Sequence, residues 1–308
     1  MDKIKRFLDK NYIEYYENFD FSSISTIRLG ARVNLAIFPK NVNELVKMLT
    51  FFYTSKIPYK MIGNASNVLV VKNLDFPLII TSKMADEISI KDGKVSVSGG
   101  MLIYKFCDIL RKNRLSGAEG LINIPATIGG AIMCNAGAFG QSISDHLVSV
   151  DAFYNGRVVK LFKNEIKFGH HFSNLFGFVI LSATFLFESK NEYDIISLSN
   201  KFTYTRGQTQ PSGFSLGSVY RKINGKSAGF YIERSGLKGV RIGGVMVSNK
   251  HSNFFINDKG GSVMDFLRLL ALVNFEVERQ FGLTLIPEIE KVGDNNEINS
   301  RFSYSFKL

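Results

Sequence analysis

The sequence predicts an α+β protein with a ligand-binding wall of bare backbone, and three observations carry that expectation. Alternating apolar and polar segments meet at Asp92-Gly93 and Asn155-Gly156, the dipeptides of tight hairpin turns. Helix-spaced apolar stripes punctuate these strand segments rather than replacing them. Residues 119–140, EGLINIPATIGGAIMCNAGAFG, carry glycines at 120, 129, 130, 137 and 140 among alanines and have little charge. Such a run either packs a helix tightly on a sheet or brings backbone N–H groups close to an anion.

In chain order, Ile4, Phe7, Leu8, Tyr12 and Tyr15 predict an amphipathic helix over 3–17. VNLAIFPK follows as a buried strand, and Asn41 with Glu44 resembles a capping box opening a helix through Leu45, Met48, Leu49 and Phe52. KMIGNASNVLVV reads as strand, turn, strand. Its turn, Gly63, Asn64, Ala65, Ser66 and Asn67, is either an ordinary hairpin or a second place for backbone N–H groups to hold phosphate. Strand patterns over 77–98, a helix at 102–113, and the hairpin segments LVSVDAFYNGRVVKLF and FVILSATFLFES complete the first part. Polar SKNEYD and the helix-like SLSNKFTYTRGQTQ end at Pro211 as a domain junction; an amphipathic helix at 262–280 and a last strand, FGLTLIPEIEKVG, follow.

The 308 residues carry 38 Lys and Arg against 27 Asp and Glu, a formal charge of +11 without a run of five or six basic residues. That disfavours a nucleic-acid arm and suits phosphorylated small molecules. Cys107 and Cys134 have neither metal nor disulfide spacing and read as buried apolar residues, while the four histidines, 146, 170, 171 and 251, form no ligand motif, so no metal is expected. GxSxG and GxxxxGK[ST] do not occur. With no apolar leader and no spanning stretch, the protein is expected to be soluble, cytoplasmic and free of membrane or nucleic-acid partners.

Taken together, STIRLGA, IGNASNVLV, GAEGLINIPATIGGAIMCNAGAFG, QPSGFSLGSVYR, SAGFYIERSGLKGVRIGGVMVSNKHSNFFIN and LIPEIEKVG resemble, in order, the blocks of the UDP-N-acetylenolpyruvoylglucosamine reductase (UDP-N-acetylmuramate dehydrogenase) family. The likeness runs from Ile24 to Gly293 and fits the shorter form without an inserted tyrosine loop. It implies an FAD-binding region of the vanillyl-alcohol-oxidase (PCMH) type in two subdomains, 1–80 and 81–200. A substrate domain at 201–284 and a segment at 285–308 that returns to the site follow.

The resemblance further implies FAD with its diphosphate against Gly63, Asn64, Ala65, Ser66 and Asn67, and against Pro125, Ala126, Thr127, Gly129 and Gly130. Ala65, Asn123 and Ala126 stand where the family usually has glycine. The implied reaction uses NADPH to reduce FAD, after which hydride reaches the enolpyruvyl ether of a UDP-sugar and an acid protonates the resulting carbanion. By resemblance Ser218 is that acid and Glu288 stabilises the enolate, with Glu290 the alternative carboxylate. His170 and His171 stand in place of a Tyr-Arg pair before Ser173, so His171 either takes the arginine's role or belongs to a drifted loop. Arg221, Lys222 and Lys250 are the implied partners of the UDP diphosphate. A monomer is expected. The alternatives are a flavin oxidoreductase of the same fold acting on a small alcohol or lactone, and a non-catalytic flavin-binding homologue.

Overall fold

A computed structural model describes residues 1–293, so the expected polar tail at 294–308 lies outside the described residues. The N-terminal helix is Asp2–Lys10, shorter than expected. Tyr12 turns to a positive φ of 55°, and the chain continues as the strand Glu14–Asp20, paired antiparallel with Arg32–Phe38. Tyr15 therefore belongs to a sheet edge; its helical spacing from Leu8 is fortuitous.

The first sheet runs in the order Glu14–Asp20, Arg32–Phe38, Leu78–Ile80 and Lys60–Ile62, the last three mutually parallel. The helix Val42–Thr54 packs on it through Leu45, Met48, Leu49 and Phe52, and Asn41 Oδ1 accepts from Glu44 N–H (2.9 Å). The side-chain oxygen thus satisfies one of the helix's otherwise unpaired first-turn donors. Burying each of those four side chains contributes roughly 2 kcal/mol.

The second sheet is antiparallel, in the order Arg157–Phe162, Leu147–Tyr154, Val179–Leu186, Lys94–Ser98 and Ile88–Lys91. Its two tight turns fall where expected, with Asp92 and Gly93 at φ 50° and 74° and Asn155 and Gly156 at 47° and 81°. Against this sheet lies the six-residue helix Ile128–Met133, the centre of the glycine-rich stretch. The helix Glu192–Thr209 also sits on this lobe: Asn123 Nδ2 donates to Thr203 Oγ1 (2.9 Å), and Phe139 stacks on Phe202.

The third unit is a three-stranded antiparallel sheet, Arg241–Ile242, Val245–Val247 and Phe255–Asn257, backed by the helix Val263–Phe281. Ser262 and Asp265 close a capping box, Gly282 ends the helix at φ 65°, and Phe266, Leu269, Leu270, Val273 and Val277 are buried. The expected last strand is extended regularly only over Glu290–Val292. There it pairs in parallel with Val68–Val70 of the first lobe. That pairing decides the nature of the 63–67 turn: Lys60–Ile62 and Val68–Val70 belong to different sheets, so the turn is not an ordinary hairpin.

Candidate active site

Two adjoining cavities, about 660 and 170 Å³, run between the three units and share Ser66, Asn67, Ala126, Met133 and Cys134 in their walls. Together they form a trough with two unlike ends.

The narrow end is built from backbone. Gly63, Asn64, Ala65, Ser66 and Asn67 line it, and the N–H groups of the first four have no acceptor among the described residues. A polypeptide seldom leaves consecutive donors unpaired beside a cavity unless water or a ligand completes them. Asn64 Nδ2 donates to Pro125 O (3.0 Å), joining this loop to the glycine-rich stretch. Ala65 holds φ 48° with its methyl buried, so alanine stands in a left-handed conformation that glycine adopts without strain.

Across the cavity, Thr127, Gly129 and Gly130 form the opposite wall, with Pro125 and Ala126 at the junction to the larger cavity. Three successive backbone donors here are already used. Ile128 N–H bonds to Met101 O and Gly129 N–H to Gly99 O, both at 2.8 Å, while Gly130 N–H bonds to Thr127 Oγ1 at 3.2 Å. A Cβ on Gly129 would stand 3.1 Å from Gly99 O and 3.4 Å from Ile180 Cβ. The packing reading therefore holds for 128–130: its glycines let the short helix lie flat on the sheet, its N–H groups there are bonded within the protein instead of facing an anion, and the helix walls a cavity bordered by the donors of 63–66.

The wide end is built from side chains. Residues 218–221 run between two neighbours: Val219 N–H bonds to Asn253 O and Glu288 N–H to Val219 O, both 2.8 Å, and Arg221 N–H bonds to Ile286 O at 3.0 Å. Val219 and Tyr220 are buried, Tyr220 OH donating to Leu270 O (2.9 Å), whereas Ser218 lines the cavity. Glu288 reaches the same cavity from the C-terminal segment, which is held by Asn67 Nδ2 on Glu288 O (3.2 Å) and Glu290 N–H on Asn67 O (2.9 Å).

His171, at φ 51°, places Nδ1 3.0 Å from Glu288 Oε1; the contact is a hydrogen bond with a neutral ring and an ion pair with a charged one. His170 is exposed, and partial burial together with His171 and Lys222 lowers its pKa. Ser173 is buried and donates to Met133 O (2.7 Å).

Arg221 and Lys250 line the wide cavity, Lys250 Nζ donating to Gly207 O. Lys222 is exposed and outside both linings. Glu290 faces the narrow cavity and is paired with the buried Lys60, so the two carboxylates of the C-terminal segment serve different ends of the trough.

Sequence reasoning missed two wall residues. Arg206 lines the wide cavity, donates to Asn123 O (3.2 Å) and lies 5.6 Å over the Phe139 ring. Its Nε is buried without a partner among the described residues, and burial lowers its pKa. The spacing of its helix offers no strong apolar stripe to show which face turns inward. Cys134, expected to be buried, is partly buried in the wall shared by both cavities, and its pKa is pushed up to about 12 by desolvation and by Glu288.

The unpaired loop donors of the narrow end and the elongated trough fit a dinucleotide carrying a diphosphate, and residues 33–161 match the family described as FAD binding domain. The chain is thus an FAD-binding protein of α+β architecture. Residues 210–292 match UDP-N-acetylenolpyruvoylglucosamine reductase, C-terminal domain. Over 299 residues the chain is 32% identical to the UDP-N-acetylenolpyruvoylglucosamine reductase of Caldicellulosiruptor saccharolyticus, covering 95% of this chain and 96% of that one. It is also 32% identical over 297 residues to that of Streptococcus suis, covering 95% and 98%. The crystal structure of UDP-N-acetylenolpyruvylglucosamine reductase from Thermus caldophilus superposes with a TM-score of 0.77 at 26% identity, covering 91% of this chain and 98% of that one. The chain belongs to the UDP-N-acetylenolpyruvoylglucosamine reductase family.

Proposed function

We propose that this protein is an FAD-dependent, NADPH-consuming reductase that converts the enolpyruvyl ether of UDP-N-acetylglucosamine enolpyruvate to the lactyl ether of UDP-N-acetylmuramate. The observation that carries the reading is the convergence of Ser218 and Glu288, from separate segments, on a cavity continuous with the unpaired donors of 63–66. When bound, FAD supplies the hydride that it has taken from NADPH; the chain's own residues do the rest.

Gly63, Asn64, Ala65 and Ser66 offer their N–H groups to the diphosphate, and Asn67 fixes the C-terminal segment beside it. Pro125, Ala126, Thr127, Gly129 and Gly130 shape the opposing wall. Ser218 Oγ donates the proton to the substrate carbon next to the carboxylate. A hydroxyl so weakly acidic serves because its partner is a strong base and because both flanks of 218–221 are hydrogen-bonded, which fixes the donor in place. Glu288 supports charge building up on the substrate carboxylate when it carries a proton, and His171 orients it.

Arg206, Arg221 and Lys250 make the wide end positive and suit it to the UDP diphosphate. Phe172 and Phe176, partly exposed in the wall of that end, cover it in place of the tyrosine loop. The junction between flavin and substrate units falls at Gln210, because the preceding helix packs on the second lobe. Among the described residues no helix is long and apolar enough to cross a membrane. A cytoplasmic monomer taking small-molecule substrates in the route to peptidoglycan precursors completes the reading.

The test is spectroscopic. The purified protein carries a visible flavin band, anaerobic NADPH bleaches it, and UDP-N-acetylglucosamine enolpyruvate restores it with formation of UDP-N-acetylmuramate. Flavin-free protein that takes up no added FAD would overturn the reading.

A further inference from the structure

The ion pair Lys60–Glu290 joins the first lobe's parallel sheet to the C-terminal segment across 230 residues of sequence, with its side chains only 5% and 13% exposed. Buried ion pairs are poor stabilising devices, since desolvation of both groups offsets most of their attraction. Its position suggests another purpose. Glu290 pairs in register with Val68, directly after the 63–67 loop, and borders the narrow cavity, while Lys60 stands behind it outside the lining. A carboxylate in the wall of a diphosphate site repels its ligand unless a cation cancels it at short range.

We propose that Lys60 is the counter-charge that admits the FAD diphosphate beside Glu290, which makes the pair a positioning element for the cofactor as well as a tie for the strand that follows Glu288. The inference rests on the reading that the trough holds FAD. Lys60 touches neither cofactor nor substrate; it acts through Glu290.

The experiment follows FAD release from full-length holoprotein by the rise in flavin fluorescence, for wild type, Lys60→Met, Glu290→Gln and the double variant. Lys60→Met removes the cation paired with Glu290 and is expected to release FAD about tenfold faster, whereas Glu290→Gln leaves a buried cation beside the diphosphate and slows release about threefold. The double variant, neutral at both positions, returns to within about threefold of wild type. Opposite signs in the two single variants are the signature, because a purely structural tie would speed release in both. Faster or unchanged release from Glu290→Gln overturns the inference, and that variant decides the matter even if Lys60→Met does not fold. A wild type that holds no FAD at all would instead defeat the underlying reading.

Discussion

The two ends of the trough are made of different materials. The narrow end offers backbone N–H groups from 63–66, whose direction depends on the path of the chain and only weakly on which small side chain each residue carries. The wide end offers Ser218, Glu288, His171, Arg206, Arg221 and Lys250, where each side chain supplies a particular proton, charge or donor. Sequence drift should therefore be cheap at one end and consequential at the other. The chain's departures from the family pattern illustrate both cases. Ala65 keeps the left-handed turn that glycine would make, and Ala126 still lines both cavities. His171, which the resemblance sets at the place of an always-charged guanidinium, is a ring whose charge depends on its proton, and it lies against the proposed catalytic carboxylate.

Substitutions at the two ends should separate accordingly. The largest effect is expected at Ser218: Ser218→Ala should lower steady-state turnover on the order of a thousandfold, as loss of a positioned proton donor does. Glu288→Gln should cost on the order of a hundredfold in kcat with flavin content unchanged, measured by turnover per bound FAD. His171→Ala removes one hydrogen bond to Glu288 and should cost about tenfold in kcat. A variant with full activity would assign His171 to a drifted surface loop.

At the narrow end, Gly129→Val forces branched bulk against Gly99 O and Ile180, and should destabilise the fold by about 1–3 kcal/mol in denaturant titration, with reduced FAD content. The smallest effect should be Ala65→Gly. Relief of about 1–2 kcal/mol of left-handed strain is offset by about 0.8 kcal/mol of lost methyl burial and by roughly 0.4–1 kcal/mol of added chain entropy. Stability within about 1 kcal/mol of wild type is expected, and a larger change would mean that the methyl shapes the loop.

The legibility of the sequence follows the same division. Turns written in local chemistry, Asp92-Gly93 and Asn155-Gly156, stand where their residues predict. Ser218 and Glu288, singled out from their motifs, line one cavity. Features that depend on distant partners were not legible. Nothing near Lys60 announces Glu290, because parallel pairing between remote segments leaves no local signal. Arg206 escaped because its helix lacks a clear apolar face, and Tyr12 and Tyr15 mimicked helical spacing across a left-handed turn. The glycine stretch was legible as bare backbone, but that its own N–H groups bond to Gly99, Met101 and Thr127 required the sheet beneath it.

The central claim is that one end of the trough holds the flavin while the other delivers the proton. Anaerobic stopped-flow spectroscopy of Ser218→Ala tests it directly by following bleaching with NADPH and recovery with UDP-N-acetylglucosamine enolpyruvate as separate events. The account predicts bleaching at the wild-type rate and recovery of the oxidised band, or product formation from it, slowed on the order of a thousandfold. Equal slowing of both events, or no slowing of either, would contradict it.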